Sequence, residues 1–342
     1  MHIIIGILAA IVLFAILVVV HEGGHFAAAK AVGIKVNEFS VGMGPLLLKK
    51  QKGDTQYSVR AIPVGGYVAM EGETEDSDDE RAFNNKPAWA KALVVVAGPF
   101  MNFLLAVLVL GAMITWYGTS VTPYIETVGT DSPAYEAGLR SGDRILKVNG
   151  TDTASGEEIS EAIGTAAETE DSVEITWQHK GDAEPVTSTV SFREEEDGHK
   201  RIGIQFRRGH NLLTGMGYGL VRSVEIEKEM LRVLGEMITG KGSTEDVVGP
   251  VGIVSVVDQT AQTGFANLVL LLALLSLNLG LVNILPFPAL DGGRLLFILI
   301  RAVTGKAITD SMENAVHYFG LLLLLALMLL ITMKDINTFI FN

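Results

Sequence analysis

The chain has 342 residues, 49% of them hydrophobic, with a formal charge of −13, no cysteine and a mean hydropathy of +0.37. That is more apolar than a soluble protein of this size needs, and it indicates a membrane protein carrying a soluble insert. The acidic balance argues against nucleic acid as a partner. Without cysteine there are no disulfides or thiolate ligands, so any metal must be held by His, Asp or Glu.

Four apolar segments are long enough to cross a bilayer: 3 to about 32, 93 to about 117, 268 to 285, and 319 to about 333. No basic residue precedes the first and no small-residue cleavage site follows it, so it is expected to be retained as a span. It ends in Val18-Val19-Val20-His21-Glu22-Gly23-Gly24-His25. On a helix, His21 and His25 project from one face and can share a metal ion. In zinc peptidases with this spacing the intervening glutamate, here Glu22, is a general base toward water and not a ligand. Ionisable side chains near the centre of a span cost roughly 2.5 to 3.5 kcal/mol each, which disfavours a trio without a purpose.

The loop from 30 to 91 carries Lys30, Lys35, Lys49, Lys50, Lys52, Arg60, Lys86 and Lys91, the pattern of a cytoplasmic loop. The acidic middle region then lies outside, and the stretch with Arg294, Arg301 and Lys306 returns to the cytoplasmic face, so His21 and Asp291 approach the same side. Residues 57–70 read as two short strands turning at Val64-Gly65-Gly66, with Pro63 placing one at an edge. Such an edge can pair with an unwound substrate segment, making Gly65, Gly66 and Tyr67 candidate substrate-binding residues; a plain structural hairpin is the alternative. Glu71 to Glu80 reads as a mobile acidic loop without assigned chemistry.

From 121 to about 206, short strands alternate with turns around one helix near 157–166. Its acidic runs, 168–171 and Glu194-Glu195-Glu196-Asp197, are explained by solubility, with basic substrates or high salt as alternatives. The stretch Ser132-Pro133-Ala134 through Asn149-Gly150 resembles the AGL-xx-GD-x-I-xx-ING segment of PDZ domains, which implies a small barrel whose groove accepts a peptide or C-terminus. That module can bind a substrate tail, exclude bulky ectodomains, or act as a spacer. Residues 213–238 show an amphipathic helical pattern suited to the membrane surface or to packing within the linker. Gly249-Pro250-Val251-Gly252 then breaks the chain before it re-enters the membrane.

The third span carries Asn278 and Asn283 and leads into Pro286-Phe287-Pro288-Ala289-Leu290-Asp291-Gly292-Gly293. The two prolines must break the helix, and such backbone is tolerated at membrane depth only where it lines a cavity. Two histidines leave zinc short of its usual three protein ligands, and Asp291 is the one acidic side chain in a suitably broken intramembrane segment, hence the natural third. Asn278 and Asn283 can bind an unwound substrate backbone or cap the broken helix.

Taken together, His21-Glu22-Gly23-Gly24-His25, Gly42-Met43-Gly44, the 63–70 hairpin, Phe83-Asn84-Asn85-Lys86, Ala97-Gly98-Pro99-Phe100-Met101-Asn102-Phe103, Gly249-Pro250-Val251-Gly252 and the 278–293 segment resemble the site-2 protease family of intramembrane zinc metalloproteases, in its bacterial branch with an extracytoplasmic PDZ insert. The resemblance implies Zn2+ held by His21, His25 and Asp291, Glu22 as base, and substrate strands received by the hairpin and the Asn283 region. It further implies regulated intramembrane proteolysis of single-span proteins, such as anti-sigma factors or leftover signal peptides, in the inner (plasma) membrane. This chain has room for one PDZ module where the best-known proteobacterial members have two.

The expected architecture is a polytopic α-helical membrane protein of about four spans, with an extracytoplasmic PDZ-like β-rich insert and a membrane-associated β-hairpin. Its expected parts are 1–117, 118–208, 209–262 and 263–342. The rival readings are an inactive membrane-anchored PDZ scaffold with a structural metal site, and a transporter, against which the absence of an inverted repeat speaks.

Overall fold

The computed structural model describes residues 2–75, 77–179, 184–195, 198–241, 248–305 and 310–336; Glu196, Asp197 and Lys306 lie outside them. The chain forms two compact units, one of Met1–Leu110 with Gly219–Asn342 and one of Gly111–Tyr218.

In the first unit, α1 (His2–Ala31) and α2 (Ala88–Tyr117) are the first two spans. An apolar run with no water to satisfy its backbone must close its hydrogen bonds internally, which is why these segments are unbroken helices. α2 begins five residues earlier than its apolar run suggests, with Pro87 accepting the N–H groups of Ala90 and Lys91. Exposed Trp89 at one end and Trp116 and Tyr117 at the other mark the two interfaces of the span. α5 (Leu212–Ile238) matches the amphipathic pattern, and its Ile226 and Met230 pack against Phe103, Ala106 and Leu110 of α2, so this part of the helix serves packing.

Two further helices do not stand out in the sequence. α6 (Pro250–Thr263) starts at the Gly/Pro break, and α8 (Asp291–Thr304) at the proline break; both are shorter than a bilayer requires. The N-terminus of α6 is held by the buried Asp335, whose carboxylate accepts the Gly252 N–H at 2.8 Å. A Cβ on Gly249 would sit 2.6 Å from Ile331 and 2.8 Å from Asp335, so the glycine admits the approach of α9 (Asp310–Ile336). The remaining spans are α7 (Phe265–Ile284) and Met312–Ile336 of α9, which gives four candidate spans among the described residues. Ala273 and Leu277 of α7 join the cluster of α2 and α5.

β1 (Val36–Lys52) and β2 (Thr55–Met70) form the hairpin, turning at Gly53 and Asp54 and not, as the sequence suggests, first at 64–66. Residues 38–41 of β1 pair with 56–59 on one side and with 66–69 on the other, so β2 changes sides near Gly65, whose φ is +90°. The expected turn is therefore a crossing inside a longer strand. It leaves 66–70 with a single strand neighbour and an open edge among the described residues. Leu46, Leu47, Leu48 and Ile62 are exposed beside Lys49 and Lys50, an apolar patch flanked by positive charge.

The second unit is the PDZ-like β-rich insert. It comprises β3 (Ser120–Val128), α3 (Pro133–Glu136), β4 (Arg144–Val148), β5 (Thr151–Asp152), α4 (Gly156–Thr169), β6 (Ser172–Gln178), β7 (Val186–Ser191), β8 (Arg193–Glu194), β9 (Lys200–Arg201) and β10 (Ile204–Gly209). The main sheet runs β10-β3-β4-β6-β7, with β5 beside β4. Alternation along β6 buries Val173, Ile175 and Trp177, which pack with Ile125, Leu139, Ile145 and Ile159. Ser132 and Ser155 cap α3 and α4, accepting the N–H groups of Tyr135 and Glu158.

Candidate metal centre

One helical turn separates His21 from His25, and the structure puts their Nε2 atoms 3.3 Å apart. Asp291 brings Oδ2 to 3.1 Å from His21 Nε2 and 3.3 Å from His25 Nε2. These three are the one group among the described residues whose His, Asp or Glu ligand atoms, all within 4.8 Å of one another, can hold a metal ion. The His25 ring donates its Nδ1–H to the Val94 carbonyl at 2.8 Å, which leaves Nε2 as a lone pair turned toward the other two residues. Asp291 Oδ2 is buried with no hydrogen-bond partner among the described residues. Lone pairs converging from a carboxylate and an imidazole in a buried site call for a cation, and two nitrogens with one oxygen suit zinc.

Glycines let the elements come this close. A Cβ on Gly98 of α2 would lie 2.3 Å from His25 Nε2, and one on Gly24 would lie 2.3 Å from the Ala97 carbonyl oxygen. Asp291 is the first residue of α8, delivered by the non-helical stretch 285–290. The glycines after it are packed to contact, since a Cβ on Gly292 would meet the Ile284 carbonyl at 2.2 Å and one on Gly293 the Phe287 carbonyl at 2.3 Å. Ala289 holds a φ of +75° and donates its N–H to His317 Nδ1 at 2.9 Å, which secures the broken segment to α9.

Gly66 brings the open strand edge to α1: a Cβ there would lie 3.1 Å from Val18 and 3.5 Å from Glu22 Cγ. Gly65 is the crossing residue, and Tyr67 pairs opposite Ser40. The Tyr67 ring carries the Arg60 guanidinium 5.4 Å from its centroid, and Arg60 in turn bonds Glu38 at 2.8 Å. Burial pushes the Glu38 carboxyl up, but Ser58, Arg60 and Tyr67 together outweigh it and hold the group below its ordinary value. Asn278 is exposed and Asn283 half-buried near the end of α7, and neither hydrogen-bonds to the His21–His25–Asp291 group.

Sequence reasoning missed several neighbours. The acidic loop is anchored at its base: Glu71 accepts from Ser77, Asn37 and Lys35, which hold its carboxyl at about 2, and Glu73 pairs with Arg294 of α8. A cavity of about 710 Å³ reaches Asp291, and its lining includes the polar side chains of Glu73, Arg294, Arg301, Glu313 and His317. Val94, Gly98 and Asn102 of α2 all face the histidine pair. Gly98 and Asn102 fall in the 97–103 stretch that carries the family resemblance, but nothing in the sequence assigns them to the histidines, and Val94 has no signal of its own.

Comparison with known proteins places the chain in a family. The pattern of Peptidase family M50 matches residues 9–327. A Clostridium acetobutylicum protein provisionally named a zinc metalloprotease is 38% identical over 333 residues, covering 97% of this chain and 97% of its own. The regulator of sigma-W protease RasP of Bacillus subtilis is 31% identical over 413 residues, covering 97% and 98%. Among solved structures, the PDZ domain of an SdrC-like protein from Listeria monocytogenes is similar over 25% of this chain and 86% of its own, at 26% identity and a TM-score of 0.22. The chain belongs to peptidase family M50, the site-2 protease family whose motifs its sequence resembles.

Proposed function

We propose that this protein is an intramembrane zinc endopeptidase that cuts transmembrane segments of single-span proteins near the cytoplasmic face, in regulated intramembrane proteolysis. The observation that carries this reading is the convergence of His21, His25 and the orphaned Asp291 carboxylate within a unit of apolar spans. Relatives bearing the names zinc metalloprotease and sigma-W protease support both the ion and the regulatory setting.

His21, His25 and Asp291 would hold a zinc ion, which would supply Lewis acidity at the site. Glu22 takes a proton from the attacking water and passes it to the amide nitrogen as the peptide bond breaks. The open edge at 66–70, one contact from Glu22, pairs with the substrate in extended form, because a peptide bond closed into a helix is shielded from attack. Gly66 and Gly65 keep that edge clear of side chains, and Tyr67 with Arg60 and Glu38 stiffens it. The polar cavity beside Asp291 brings water from the face where Arg294 and Arg301 lie. Asn278 and Asn283 take the remaining substrate backbone as it unwinds. The insert faces the opposite side of the membrane and filters or holds what remains of the substrate there.

In detergent or proteoliposomes, Glu22→Gln is expected to keep one zinc and to cleave a single-span reporter about 10²- to 10⁴-fold more slowly, the range for loss of a general acid–base group. Wild-type turnover by that variant would sink the proposal. Zinc without hydrolysis in the unaltered protein would favour the inactive scaffold.

A further inference from the structure

This inference deepens the zinc reading and rests on it. Val94, Gly98 and Asn102 recur every four residues on α2 and form one stripe against the two histidines of α1. Val94 takes the Nδ1–H of His25, Gly98 clears space for that ring, and Asn102 reaches the other histidine, with its amide Nδ2 3.4 Å from His21 Nδ1. Asn102 is wholly buried, and its Oδ1 has no hydrogen-bond partner among the described residues.

A neutral imidazole carries one N–H. If His21 kept it on Nε2, the ring would turn a proton toward Asp291 and away from metal binding; kept on Nδ1, it needs an acceptor there. A half turn of the Asn102 amide exchanges nitrogen and oxygen in nearly the same volume, bringing Oδ1 onto His21 Nδ1. The orphaned oxygen and the unplaced ring proton then satisfy each other.

We propose that Asn102 is a positioning residue for His21: its carbonyl accepts the Nδ1–H and fixes the tautomer whose Nε2 lone pair faces His25 and Asp291. α7 packs against the backbone side of the same residue, away from the amide. Ser276 Oγ donates to the Asn102 backbone carbonyl at 2.8 Å, and a Cβ on Gly280 would lie 3.4 Å from Asn102 Cβ. His25 thus uses a backbone acceptor and His21 a side-chain acceptor, so this half of the arrangement can be altered by mutation.

The test is the zinc dissociation constant of the full chain in detergent, measured by competition with a chromogenic chelator, with the visible spectrum of the Co2+-substituted protein as a second readout. Asn102→Leu removes the acceptor at similar volume and is expected to weaken zinc 10- to 100-fold, the usual effect of losing a partner of a ligating histidine. It should also shift the Co2+ spectrum. Asn102→Asp supplies another acceptor and should bind zinc as the wild type does. Ser276→Ala breaks the α2–α7 hydrogen bond without touching the amide and should leave affinity unchanged. Unchanged zinc affinity in Asn102→Leu, or equal weakening in Asn102→Asp, overturns the proposal, as does weakening by Ser276→Ala to the level of Asn102→Leu. A wild-type chain that holds no zinc overturns the metal reading and this one with it.

Discussion

The two units differ in what they show outside and in which polar groups they bury. The insert hides Ile125, Leu139, Ile145, Ile175 and Trp177 and shows charge to solvent, as a water-soluble fold does. The membrane unit exposes Leu47, Leu48, Leu329 and Leu330 and buries His21, His25, Asn102, Ser276 and Asp335. In water the apolar side chains drive collapse, so the interior of the insert is a packing problem. In lipid they gain little by moving inward, so close helix contacts are made by glycine and by polar groups that find partners across helices. The candidate metal centre lies where polar groups are buried among apolar helices.

The contrast predicts that equally small changes act through different losses. The largest effect on the membrane unit follows from adding one methyl group at Gly98. Its Cβ would overlap His25 Nε2 at 2.3 Å, so Gly98→Ala must displace the ring or part α1 from α2. Overpacking of this kind costs about 1–3 kcal/mol, and here it also removes a ligand. The expected outcome is lost zinc and lost cleavage with the insert still folded, scored by metal analysis and by hydrogen exchange. A Gly98→Ala chain that keeps full zinc would show that the glycine contact does not set the His25 position.

In the insert the corresponding change is a deletion. Trp177 is 1% exposed, and Trp177→Ala leaves a cavity costing about 3–5 kcal/mol. Hydrogen exchange on the full chain should show loss of protection across β4, β6 and β7, while zinc content stays at the wild-type level. If zinc falls in parallel, the two units are not independent in stability and the contrast fails.

What could be read from the chain beforehand follows the same division. His21, Glu22 and His25 are legible because a helix fixes their geometry from spacing alone, and Asp291 because two prolines announce a break in an apolar run. Gly98 and Asn102 stand out only as members of the 97–103 stretch that carries the family resemblance; their contacts depend on which face of α2 meets α1, and an apolar helix carries no pattern that names its partner. α6 and α8 escape notice because they are too short for spans. The acidic loop reads as mobile from its charges, yet Glu71 finds Lys35 and Asn37, and Glu73 finds Arg294, 221 residues away. The fold brings those partners together where no local signal could.

The smallest expected effect sharpens that last point, because it asks whether the anchoring of the loop matters in solution. The Glu71 carboxyl, ordinarily near 4.5, is held at about 2 by Ser77, Asn37 and Lys35. A carboxyl whose value falls on folding contributes stability that is complete above its unfolded value and is lost as pH drops through the folded one. The contribution should therefore be intact above about pH 4.5 and decline toward pH 2. In Glu71→Gln that part of the pH dependence should vanish, and proteolysis of the 71–85 loop at pH 6 should quicken toward the rate the wild type shows near pH 2. Because the group lies at the surface, the bonds are screened by water and the effect on global unfolding should be slight. An acid profile for loop cleavage identical in both chains would return this loop to the mobile segment that its composition suggests.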